Sequence, residues 1–160
     1  MRVYIGGAMF NEAEINYNRY LSKLLISQGF EVYCPNDNME INDKSRSDIT
    51  AEKIYTADVQ ELYKCNVFLC QISLDCGTMW EAGYMDCLSH NIDASKYYGC
   101  IGLVTDIRLN TLPDPDKSGV DNQAMYIDQF ITGGLKLSLG IFTSTETLLE
   151  QLIKLRAERE

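Results

Sequence analysis

Short apolar runs alternate along the chain with longer stretches in which apolar residues recur every three or four positions. The runs cover residues 2–6, 30–34, 67–72, 98–105 and 140–143, each bounded by polar residues, Gly or Pro. That is the pattern of buried β-strands. The intervening stretches predict helices over 11–28, from Asp48 or Thr50 to about 64, over 77–91, over 122–137 and from 145 to the C-terminus. In the first, Asn11 is a good N-cap, Glu12 and Glu14 suit the opening turn, and Gly29 stands where a C′ glycine is expected. Strand and helix alternate throughout, which predicts a single α/β domain over 1–160. The expected architecture is a doubly wound, flavodoxin-like, five-stranded parallel sheet in the order 2-1-3-4-5, with helices on both faces. The switch point then falls between strands one and three, where such sheets bind ligands. Two polar connections, 36–48 and 106–121, are long enough to be surface loops or lids over that rim.

The third strand hands over to the central helix through Asp75-Cys-Gly-Thr-Met-Trp-Glu81. Glu81 is expected in the first helical turn, where free N–H groups and the macrodipole keep a carboxylate ionised, as a nucleophile requires. The same spacing, Thr78-x-x-Glu81, also matches a capping box, and Asp75 could be a loop acid or an alternative cap. Gly6-Gly7-Ala8 closes the first strand, and two small residues there would let a ligand approach the backbone. No Lys or Arg occurs between Val3 and Asn18, which argues against a phosphate cradle. Asp58, one turn from both Ile54 and Leu62, borders a buried stripe as an edge charge or a site residue.

Composition narrows the function classes. Fourteen basic against 23 acidic residues give a net charge of −9, a poor match for nucleic acid or an anionic membrane. No apolar run approaches the ~20 residues that span a bilayer, and the N-terminus enters a strand without signal-peptide anatomy, so a cytoplasmic location is expected. Six cysteines with no CxxC pair and a single histidine, His90, make a zinc site improbable and suit reduced thiols. Cys76 has no histidine nearby in sequence to activate it as a nucleophile.

Three segments together resemble the nucleoside 2-deoxyribosyltransferase family: Tyr4-Ile-Gly-Gly-Ala-Met-Phe10, Asp58, and Asp75-Cys-Gly-Thr-Met-Trp-Glu-Ala-Gly-Tyr84, with a weaker continuation through Asn122 and Met125. The resemblance implies a retaining double displacement, without metal or organic cofactor, on a 2′-deoxynucleoside and a free nucleobase. Glu81 would be the nucleophile at C1′, Tyr4 the group orienting it, and Asp58 an acid facing the base. Asp75 would bind the sugar, with Gly6, Gly7, Phe10 and Gly77 lining the substrate site. Asn122 and Met125 would reach the site from a neighbouring subunit of a homo-oligomer. The family's Asn-x-Met appears here one residue longer, as Asn122-Gln-Ala-Met125, which leaves Asn110 as a rival. Two other readings compete: a hydrolase of deoxynucleosides or their 5′-monophosphates, and a non-catalytic nucleotide or metabolite sensor. The first loop, Gly7-Ala-Met-Phe-Asn11, offers neither hydroxyl nor cation to a phosphate, which favours an uncharged nucleoside.

Overall fold

The computed structural model describes residues 1–118 and 121–160. Five strands, β1 (Arg2–Gly6), β2 (Glu31–Tyr33), β3 (Val67–Gln71), β4 (Gly99–Leu103) and β5 (Ile141–Phe142), form one sheet in the order β2-β1-β3-β4-β5. All neighbouring pairs are parallel, and Tyr4 stands in register with Tyr33 on one side and Phe68 on the other. This is the topology expected from the alternation of runs.

The period of two along each strand divides the core into two layers. Val3, Ile5, Val67, Leu69, Ile101 and Leu103 face α1 (Glu12–Ser27) and α6 (Thr145–Arg159), which bury Leu21, Leu25, Leu148 and Leu152 against them. Tyr4, Phe68, Cys70 and Cys100 point to the other face. There α3 (Ala51–Leu62), α4 (Cys76–Cys87) and α5 (Gln129–Leu137) contribute Leu62, Ala82, Met85 and Leu135. Tyr4 therefore belongs to the α3–α4 layer because its register is odd relative to Val3 and Ile5, and a slip of one residue would send it to the opposite layer.

Local signals account for the helix starts. Asn11 and Glu14 form a reciprocal capping box on α1, while Thr50 and Ser144 cap α3 and α6. Gly29, at φ +82°, takes the left-handed conformation that lets α1 turn into β2.

Three expectations need correction. The 36–48 stretch is not wholly irregular: a 3₁₀ turn over Pro35–Asp37 leads into α2 (Met39–Asn42), whose Ile41 is buried. The helix expected over 122–137 begins only at Gln129, because Asp128 caps it by accepting from the Phe130 and Ile131 amides. The central helix is α-helical only to Cys87 and widens into a π turn over Leu88–Ile92. The expected 106–121 loop includes Gly119 and Val120, which lie outside the described residues. Among the described residues, no helix is long and apolar enough to cross a membrane.

Candidate active site

The cap of α4 sets the site geometry. Asp75 accepts from the amides of Gly77 (3.3 Å) and Thr78 (3.0 Å) and from the Thr78 hydroxyl (2.6 Å). Asp75, not Thr78, is thus the N-cap, and Glu81 takes no part in a capping box. Glu81 falls in the second turn rather than the first, and its side chain turns toward the sheet. There the Tyr4 hydroxyl donates to Glu81 Oε1 at 2.6 Å.

The electrostatics of Glu81 also differ from the expectation. Burial is the largest influence and raises its pKa from the ordinary 4.5 to about 7; Tyr4's hydrogen bond opposes the shift, and the Asp58 and Asp75 charges add to it. The carboxylate is therefore poised near neutrality, not locked in the ionised form by the helix dipole. Tyr4 has no exposed surface, and burial followed by the charges of Glu81 and Asp58 pushes its own pKa far upward. It acts only as a proton donor in the hydrogen bond to Glu81.

Asp58, on α3, accepts a hydrogen bond from the Tyr33 hydroxyl (3.3 Å). Burial lifts its carboxyl above the usual range, and the Tyr33 and Tyr4 hydroxyls pull it back. Asp58 and Glu81 line one cavity of about 400 Å³ between α3 and α4, with Gly77 and Trp80 at one side and Ile54 and Tyr55 at the other. Its volume lies in the range of small-molecule pockets, its wall is mostly apolar, and its two charged lining groups are both acids. Such a site can stabilise positive charge growing on a bound molecule.

Other residues singled out from sequence fall elsewhere. The space a side chain would need at Gly6 is filled by the Phe68 ring (2.0 Å from an added Cβ), and at Gly7 by the Gln71 amide (2.3 Å). Glycine at both positions makes room for these side chains of β3. Phe10 is 77% exposed and, like Met125 and Asn122, forms no part of the cavity wall. Asn122 ties its own loop, accepting from the Asp114 amide (3.3 Å) and donating to the Asp114 carbonyl (3.2 Å). Asn110 donates to the Val104 carbonyl (3.2 Å). All six cysteines are free thiols. Among the described residues, no group of three His, Cys, Asp or Glu side chains could hold a metal ion.

Two polar networks beside the site were not anticipated. Asn18, buried on α1, donates to the Ala8 carbonyl and to Asn36 Oδ1 (both 3.0 Å) and accepts from the Gln71 amide (2.6 Å). The signal for it was present: a polar residue at a core-facing position between Ile15 and Leu21. The second runs from the Asn38 amide to the Tyr33 hydroxyl (3.0 Å) and on to Asp58. Nothing in the spacing of those residues signals it.

The fold is shared with two solved structures, and a third is weakly similar. A conserved protein from Enterococcus faecalis V583 superposes with a TM-score of 0.77 at 23% identity, covering 96% of this chain and 97% of that one. A 2-deoxyribosyltransferase from Bacillus psychrosaccharolyticus gives 0.61 at 17% identity over 92% and 96% of the two chains. A CMP N-glycosidase from Clostridium botulinum gives 0.48 at 17% identity over 97% and 99%. No curated protein matches the sequence. The model of the nucleoside 2-deoxyribosyltransferase family matches residues 3–122, a span that takes in Tyr4, Asp58, Asp75 and Glu81. By that match the chain belongs to the nucleoside 2-deoxyribosyltransferase family.

Proposed function

We propose that the protein moves 2-deoxyribose from one nucleobase to another through a covalent ester on Glu81. The observation that carries this reading is the Tyr4 hydroxyl on Glu81 Oε1 at 2.6 Å, at the floor of a cavity that also holds Asp58. A carboxylate held by one oxygen leaves the other free to react. In the first half-reaction that oxygen bonds to C1′ as the C1′–N bond breaks. The bonding pair leaves with the ring nitrogen, and Asp58 supplies the proton the departing base requires. In the second, a nitrogen of the incoming base attacks C1′, the ester C–O bond breaks back to the Glu81 carboxylate, and Asp58 recovers a proton. The acids stabilise the oxocarbenium character at C1′ in both steps.

Burial of the Asp58 carboxyl supports its role as the acid, since it favours the protonated form. Asp75 stands two residues before Gly77 of the cavity wall and is assigned to the sugar; Tyr4 orients the nucleophile. Asn122 and Met125 are assigned to a site completed by a second copy of the chain. The cavity's lining residues include no cation, which favours an uncharged nucleoside over a 5′-monophosphate.

Deoxyinosine incubated with adenine should yield deoxyadenosine and hypoxanthine, and deoxyinosine 5′-monophosphate should turn over at least about tenfold less efficiently, given like-charge repulsion from two carboxylates. Glu81→Ala should abolish exchange. Release of free deoxyribose without exchange would establish hydrolysis instead, and exchange retained in Glu81→Ala would remove the nucleophile from the scheme.

A further inference from the structure

We infer that Tyr33 and Asn38 are positioning residues for Asp58, forming a two-bond relay that fixes which carboxylate oxygen faces the cavity. The inference rests on the assignment of Asp58 as the acid. The Asn38 side-chain amide donates to the Tyr33 hydroxyl oxygen at 3.0 Å, and that hydroxyl spends its proton on Asp58 Oδ1 at 3.3 Å. The amide can only donate to the phenol oxygen, which leaves the Tyr33 proton for Asp58 Oδ1, and an Oδ1 that accepts that proton does not itself carry the reacting one. The arrangement thereby assigns the reacting proton to Oδ2.

Two further contacts hold the relay rigid. Asn38 Oδ1 accepts from the Glu40 amide as the N-cap of α2, so the side chain is tethered at both of its ends. The Tyr33 ring packs on Tyr4 with centroids 4.9 Å apart, joining the group that serves the acid to the group that serves the nucleophile. The charged and titratable groups facing Asp58 are Tyr33 from β2, Tyr4 from β1, Glu81 from α4, and Glu61 on its own helix. Of these, the two tyrosine hydroxyls are the ones that favour its ionised form. Removing the Tyr33 hydroxyl therefore makes Asp58 harder to ionise and frees its rotation together.

The test uses Tyr33→Phe, which keeps the ring on Tyr4, and Asn38→Ser, which keeps a residue able to cap α2 while removing the amide. In Tyr33→Phe, kcat for deoxyinosine–adenine exchange should fall about tenfold with KM changed less than about twofold, the pattern of a loss confined to the transition state. The alkaline limb of the pH profile should move up by about one unit, the size of one hydrogen bond to a carboxylate. Asn38→Ser should move both quantities part of the way. Independently of turnover, a ¹³C NMR titration of the Asp58 carboxyl should show the same upward displacement in both variants. An Asp58 titration unchanged in Tyr33→Phe would overturn the relay, whatever happens to activity. A displaced titration with no base exchange in the wild-type protein would leave the relay standing and remove the transferase reading.

Discussion

At the scale of single residues, the site depends on a carboxylate kept out of water. Glu81 has a folded-state pKa of about 7 against an ordinary 4.5. The folded protein thus favours the neutral form. The associated penalty is absent below pH 4.5, grows as the pH rises through the interval to about 7, and is complete above it. A shift of that size corresponds to at most about 3 kcal/mol, reduced by solvent reaching through the cavity mouth. Glu81→Gln, which removes the charge and keeps the shape, should raise stability at pH 8 by about 1–2 kcal/mol and leave it unchanged at pH 4. Denaturant midpoints at the two pH values check this, and equal effects at both would mean that Glu81 is not desolvated. As the proposed nucleophile Glu81 needs to be ionised, so on that reading wild-type turnover should rise with pH through about 7 on the acid limb.

Helix ends are the next level, and there Asp75 has two possible duties that can be separated. Its carboxylate holds two amides and one hydroxyl at the start of α4. Asp75→Asn can keep the cap but loses the charge; Asp75→Ala loses both. The alanine variant should lose about 1 kcal/mol, a few degrees in Tm, while the asparagine variant loses a few tenths at most. If Asp75 also grips the sugar, both variants should raise KM for deoxyinosine by similar factors despite their different stabilities. A KM change that tracks Tm would reduce Asp75 to a cap. The elements themselves were largely legible in sequence, because strand runs such as 67–72 and caps such as Asn11 act locally. Position of the first helical residue was not. Thr78-x-x-Glu81 satisfies the capping rule on spacing, yet Asp75 caps the Gly77 and Thr78 amides and starts α4 at Cys76, which places Glu81 in its second turn. Asp128 likewise outcompeted Asn122 as a start for α5. Beside Gly6 and Gly7 pack Phe68 and Gln71, two side chains from β3 whose arrival no local pattern announces.

Over the whole molecule, apolar surface is distributed unevenly. Phe130 is 91% exposed and Leu137 82% exposed on α5, beside a second cavity of about 470 Å³ bounded by α4 and α5. Contiguous apolar surface of this kind suits association, and the proposed completion of the site by Asn122 and Met125 requires a second copy. Sedimentation velocity at micromolar concentration should show a species of at least two chains. Phe130→Glu should shift it toward monomer and reduce base exchange together with mass. A monomeric, fully active wild type would exclude Asn122 and Met125 from the site. The sequence supported the resemblance through Tyr4, Asp58, Asp75 and Glu81, but no single-chain pattern encodes how copies meet.

The register of Tyr4 between Tyr33 and Phe68 has a consequence for how the protein matures. Tyr4 comes from the first strand, Asp58 from the third helix, and Glu81, the proposed nucleophile, from the fourth. None of these pieces can be brought to the others by a local hairpin or a single helical turn. A nascent chain of residues 1–80 lacks Glu81 altogether. Recovery of activity after dilution from denaturant should therefore come no earlier than complete assembly of the sheet, and serve as its clock.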